Sequence, residues 1–186
     1  LDNIFFDIKA LKHLGQNVII GKTVRIRYPE LVSIGDNCII DDFTYISTQL
    51  HLEGYVHISS GCKIIGGRQS MLSMDYFSTF SPNVVVAAGS DDYLGGIATP
   101  LVPSEYKGNV QYGNITIGKH CVIGSGSVIL PGVNIDEGAS VGALSLVNKS
   151  LASWGLYAGV PAKKIKNRNK DQILAMEADF FKNIQK

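Results

Sequence analysis

The sequence predicts an all-β chain wound into a flat-sided coil. Three observations carry this: a six-residue rhythm of large aliphatics, small or medium residues two places before each one, and glycine or asparagine between them. Read in steps of six from Ile34, the chain gives Ile-Gly-Asp-Asn-Cys-Ile, Ile-Asp-Asp-Phe-Thr-Tyr, Ile-Ser-Thr-Gln-Leu-His, Leu-Glu-Gly-Tyr-Val-His and Ile-Ser-Ser-Gly-Cys-Lys. The register returns at Ile117 and holds through Val147, and shorter stretches fit around Ile20, Met74, Phe80 and Val86, for about fifteen hexads in all. Residues two apart on a strand point the same way, so the fifth residue of one hexad and the first of the next both face inward. The fourth slot, filled by Asn37, Gly61, Asn83, Gly126, Gly132 and Gly138, suits the left-handed backbone of a sharp corner.

Along the chain, residues 1–17 read as a lead-in whose Ile4, Phe5, Ile8 and Leu11 supply an apolar face, and the coil is expected over 18–166. Three breaks interrupt the rhythm. Two residues are added around Tyr28-Pro29-Glu30, and the phase slips again at Ile65 to Ser70, where Arg68 would otherwise point inward. From Gly89 to Asn114 there is no regular period, and so long an excursion within a compact domain marks a functional loop. In the tail, 167–186, Ile173, Met176, Phe180 and Ile184 recur at helical spacing after an Asn169/Asp171 start signal, which predicts a closing amphipathic helix.

At 186 residues, 45% of them apolar, the chain suits one domain with a real core. Seventeen basic residues against sixteen acidic ones give a net charge of +1, which offers no footprint for nucleic acid or a polybasic membrane patch. Apolar runs such as Val84 to Ala88 fall far short of the ~20 residues that span a bilayer. No leader pattern opens the chain, so a cytoplasmic location is expected. Cys38, Cys62 and Cys121 all fall in the inward fifth slot and are expected to pack as small hydrophobes. His120 occupies a corner slot, while His51 and His57 share the last slot of successive hexads and so lie on adjacent faces.

The pattern resembles the hexapeptide-repeat family, whose chains form a left-handed parallel β-helix with three hexads per triangular coil; about six coils are expected here. The Ile117 to Lys166 stretch, ending in Gly159-Val160-Pro161-Ala162-Lys163, is similar to the acetyl-CoA-dependent acetyltransferases of sugars and xenobiotics. That resemblance places pantetheine contacts on Ser125 and Ala143, contacts near the nucleotide on Asn148 and Lys149, and 3′-phosphate contacts on Lys163 and Lys166. It also implies a homotrimer with active sites between subunits, and a thioester carbonyl held by a backbone N–H near Ser125 or Ala143. Carbonic anhydrases of the same fold gather three histidines around zinc; the close pair and third ligand are missing here, so no metal is expected.

The family's sugar O-acetyltransferases carry a histidine base at the root of the excursion. Counting forward from Asn83-Val84-Val85-Val86 puts Asp91 there, with Asp92 one residue away. A carboxylate titrating at about 4 is a poor base for a sugar hydroxyl, whereas a neutral amine attacks a thioester without prior deprotonation. This favours N-acetylation of a nucleotide-linked amino sugar of surface polysaccharide, with a saccharide hydroxyl as the alternative acceptor and a non-catalytic β-helix scaffold as a third reading. His57, or His51 or His120, from a neighbouring coil or subunit is an alternative base. Tyr93, Glu105 and Tyr106 on the loop are candidate acceptor contacts.

Overall fold

The computed structural model describes residues 3–184. Inward aliphatics stack in three columns, one for each side of a left-handed parallel β-helix. The first face runs through seven parallel rungs: Ile19–Ile20, Ile39–Ile40, His57–Ile58, Thr79–Phe80, Val122–Ile123, Ser140–Val141 and Gly155–Ala158. Ile26, Ile46, Ile64, Val86, Ile129 and Val147 form the second column. Leu14, Ile34, Leu52, Met74, Ile117, Ile135 and Leu151 form the third. Seven turns replace the expected six because both ends reach further than the hexad register shows. His13–Leu14 already pairs with Ser33 and Ile34, inside the expected lead-in. At the other end Lys163–Asn167 folds back antiparallel on Gly155–Ala158, and the helix begins at Lys170.

Rungs are held vertically by backbone bonds from each turn to the next, such as Ile39 N–H to Val56 carbonyl (2.9 Å) and Thr79 N–H to Cys121 carbonyl (2.9 Å). Core members including Ile34, Ile40, Ile46, Ile58, Ile64 and Phe80 are fully buried, each stabilising the fold by about 1.5–3 kcal/mol. The three cysteines sit among them as expected, and burial pushes the Cys62 thiol up to about 11 and that of Cys121 to about 12.

Corners require a positive φ. Asn17 and Asn37 supply it at the first edge, but higher up the same positions hold Tyr55, Phe77, His120 and Trp154, with φ between 57° and 59°. Such bulky residues are rare there, and ring stacking offsets the cost. Tyr55 and Phe77 stack at 5.2 Å, Phe77 and His120 at 5.3 Å, and Phe180 and Phe181 of the helix Lys170–Ile184 meet Phe77 edge-on at 5.7 and 5.6 Å. Gly138 is the one gap in the ladder, because a Cβ there would lie 2.4 Å from the Trp154 ring.

The helix is clasped by charge as well. Glu177 accepts from Lys119 and from His120 Nε2 (2.8 Å), and Arg168 Nη1 donates to the carbonyls of His120 (2.7 Å) and Gly138 (2.8 Å). Asn169 caps the helix through the Gln172 N–H (3.2 Å), as its start signal implies. Of the apolar face expected for this helix, Ile173 is half-buried, Met176 and Phe180 border a cavity of about 330 Å³ under the helix, and Ile184 lies exposed.

All three interruptions of the repeat leave at one edge, between the second and third faces. Tyr28 to Leu31 follows the Arg25–Ile26 rung, Gly66 to Ser70 follows Ile64, and residues 91–110 follow Val86. A parallel ladder of two-residue rungs cannot absorb an insertion without losing register, so extra residues collect at corners.

Two outcomes follow. Ile58→Ala should lower unfolding free energy by about 2–5 kcal/mol in urea titrations. Burial acts to raise the Glu177 carboxyl, but Lys119 and His120 outweigh it and hold it below its ordinary 4.5. Its contribution to helix docking is therefore complete above that ordinary value and lost as pH falls through the lower native one. Glu177→Gln should loosen the helix at pH 7 yet match the native protein at strongly acid pH, read from the fluorescence of Trp154, the single tryptophan.

Candidate active site

Gly89–Ser90 pairs antiparallel with Gln111–Tyr112, which gathers the root of the excursion against the wall of the helix. Between them opens a groove of about 210 Å³ lined by Ile65, Gly66, Gly67, Gly89, Ser90, Asp91, Val110 and Tyr112. Glycine is required at Gly66, where a Cβ would stand 2.8 Å from that of Ala88. The groove thus joins two of the interruptions, the slip at Ile65 to Ser70 and the long excursion.

The two neighbouring aspartates differ sharply. Asp92 Oδ2 accepts from Asn109 N–H (2.9 Å), and its Oδ1 from Leu94 N–H (2.9 Å) and Gly95 N–H (3.1 Å). Those three donors hold its carboxyl below the ordinary range and tie it into the loop. Asp91 is exposed in the groove, and its carboxylate accepts no hydrogen bond among the described residues.

Among the described residues no histidine is hydrogen-bonded to Asp91. His57 lies on the first face, its Nε2 2.8 Å from Asp41 Oδ2 and 3.4 Å from Ser59 Oγ. His51 pairs with Glu53 at 3.0 Å, and His120 is buried against Glu177. Among the described residues no three His, Cys, Asp or Glu side chains are grouped to hold a metal. No helix there is long and apolar enough to cross a membrane. Tyr93, Glu105 and Tyr106 do not line the groove. Tyr93 is 89% exposed and Tyr106 57% exposed, with Glu105 and Tyr106 on the 3-10 turn Ser104–Tyr106. Tyr112, at the loop's returning root, does line it. Its pairing with Gly89 is long-range, so no local pattern announces it.

The donor-side residues divide into groups. Ser125 and Ala143 are brought together, one directly above the other at the edge between the first and second faces. Leu144 N–H donates to Ser125 carbonyl (2.9 Å), and a Cβ on Gly124 would lie 2.4 Å from Ala143 N. Gly159 lies on the next turn up, its carbonyl accepting from Leu146 N–H (3.0 Å). Among the described residues the N–H groups of Ser125 and Ala143 donate to nothing. Two free donors over a strip of small residues can hold a carbonyl-rich arm and a developing oxyanion. Asn148 and Lys149 stand apart, exposed at the far end of the Leu146–Val147 rung. Lys163 and Lys166 lie on the terminal antiparallel strand, also exposed.

No family model matches the chain. Full-length relatives do. It is 35% identical to the dTDP-4-amino-4,6-dideoxy-D-glucose acyltransferase of Escherichia coli, over 97% of this chain and 94% of that one. The chain belongs to the hexapeptide-repeat sugar acyltransferases. This acyltransferase is also 30% identical to the galactoside O-acetyltransferase of Escherichia coli K12, over 80% of its own length and 78% of the other. In structure it matches AntD, an N-acyltransferase from Bacillus cereus crystallised with dTDP and 3-hydroxybutyryl-CoA. The TM-score is 0.91 at 36% identity, covering 99% of this chain and all of AntD.

Asp92→Ala should speed amide exchange at Leu94, Gly95 and Asn109 many-fold while leaving the melting temperature nearly unchanged. Unchanged exchange would mean the loop is held by other contacts.

Proposed function

We propose that this acyltransferase transfers an acetyl group from acetyl-CoA to the amine of a nucleotide-linked amino sugar, with dTDP-4-amino-4,6-dideoxyglucose as the leading acceptor. The observation that carries the reading is Asp91: a free carboxylate in the groove, with no histidine base beside it. Transfer to an amine needs a group that holds the ammonium and takes its proton, and a carboxylate suffices for that; a hydroxyl needs a stronger base. AntD supports the acceptor, since it has been crystallised with dTDP-4-amino-4,6-dideoxyglucose and coenzyme A. Its substituted forms change one aspartate and a serine ten residues before it. Here Ser81 and Asp91 have that spacing, and Asp92 has Pro82 at the corresponding place.

In this reading the donor's arm lies along Ser125, Ala143 and Gly159. The free N–H groups of Ser125 and Ala143 hold the thioester carbonyl and steady its oxygen as negative charge gathers there. Asn148 and Lys149 are assigned to the donor's nucleotide end and Lys163 and Lys166 to its phosphates, since lysine neutralises phosphate as a point charge. Asp91 orients the acceptor amine, and as the amide bond forms and the C–S bond breaks it takes the proton the nitrogen sheds. Ser81 and Asp91 lie at opposite margins of the second face in one chain, which favours a homotrimer that joins one copy's Asp91 margin to the next copy's Ser81 margin. His57, one turn below Thr79 on the first face, is then a neighbour's contact to the acceptor, as are Tyr93, Glu105 and Tyr106 from the loop. A cytoplasmic place in surface-polysaccharide synthesis suits a nucleotide-sugar acceptor.

Thiol release from acetyl-CoA, followed across nucleotide-linked amino sugars and neutral saccharides, tests the reading; turnover confined to hydroxyl acceptors would overturn it. Asp91→Asn should lower kcat by about 10²–10⁴-fold with unchanged CoA affinity, and Asp92→Asn far less. An undiminished rate for Asp91→Asn would take that residue out of the chemistry.

A further inference from the structure

The first two interruptions of the repeat meet on the same edge as the Asp91 groove, three turns and one turn nearer the N-terminus, and together they build a cationic patch. Tyr28 lies between two guanidiniums: Arg68 Cζ is 4.4 Å from its ring centroid and Arg27 Cζ 5.5 Å. Arg68 Nη2 also donates to Glu30 Oε1 (2.7 Å), and Gln49 Nε2 donates to Arg68 carbonyl (2.7 Å) across the plain corner between the two insertions. On the adjoining second face the outward residues from the bottom upward are Arg25, Tyr45 and Lys63, followed by Val85, Val128 and Leu146. The lower half of that face is cationic and its upper half apolar. Among the described residues Glu30 is the one carboxylate in an ion pair with any of these four cations, although the whole chain carries a net charge of only +1.

We infer that Arg27 and Arg68 hold the diphosphate of the acceptor nucleotide, so that its sugar reaches up into the groove at Asp91. The inference rests on the nucleotide-sugar reading above. Continuity supports it: Gly67, which precedes Arg68, lines the groove, and Gly66 lies against Gly89, two residues before Asp91. Chemistry supports it as well. A guanidinium stacked on an aromatic ring is fixed in plane, and its N–H edge stays free to meet phosphate oxygens in pairs. The first face is unsuited to the same task, since its lower turns carry Asp36, Asp41, Asp42 and Glu53 at the margins.

Calorimetric titration with dTDP alone and with CoA alone, on the full chain, tests this for the native protein, Arg68→Lys and Arg27→Ala/Arg68→Ala. All three should melt alike, because both arginines are exposed. The double variant should weaken dTDP binding by at least about tenfold, raise KM for the nucleotide-linked amino sugar in proportion, and leave kcat and CoA affinity nearly unchanged. Arg68→Lys should fall between, and added salt should weaken dTDP binding more in the native protein than in the double variant. Equal dTDP affinity in native and double variant, with turnover intact, would overturn the patch and leave the acceptor reading standing. Failure of the native protein to acylate any nucleotide-linked amino sugar would instead overturn that reading and this inference with it.

Discussion

The structure depends on the vertical hydrogen-bond ladder between turns. Most rungs are only two or three residues long, and their N–H groups bond to the turn that follows, as from Ile39 to Val56 and from Val122 to Ala139. A rung displaced by one residue would turn Ile40 or Ile123 outward and bring an outward neighbour into the core. The faces are consequently monotonous, and any residue free to vary must stand at a corner or point outward. Three edges result, and they have been put to different uses.

The first edge is a clamp. Its aromatic column accepts unfavourable left-handed backbone at Tyr55, Phe77, His120 and Trp154 in return for stacked rings, and Phe180 and Phe181 close over them. His120 is 8% exposed and bonded to Glu177, so it is spent on holding the helix and is not available as a base. The second edge carries small residues, Ser125 and Ala143, with free N–H groups. The third takes all three insertions and with them the groove. Separating the clamp, the strip of small residues and the groove onto different edges lets each be altered without disturbing the ladder.

How much of this the amino-acid sequence reveals depends on whether the cause is local. The hexad slots of Ile34, Ile58 or Ile129 are local, and so is the corner role of Gly126; these read directly. The two extra residues at Tyr28–Glu30 and the slip at Arg68 are also visible, but their meeting is not. It depends on which corner each leaves from, and that follows only from counting faces in three dimensions. Tyr112 and Gly66 reach the groove through partners more than twenty residues away. The clasp by Glu177 joins residues 57 positions apart and leaves no periodic trace.

Asp91 and Asp92 put the same point in chemical terms. By composition they are equivalent, and a count along the chain cannot choose between them. The backbone decides. Asp92 faces into the loop, where Leu94, Gly95 and Asn109 present N–H groups, and a carboxylate so satisfied resists protonation and keeps the loop in one shape. Asp91 lines the groove, and its carboxylate accepts no hydrogen bond among the described residues. A base must have an oxygen to give to the substrate, and one of the two has already given both of its own to the fold. The loop therefore sets the position of Asp91 by binding its neighbour.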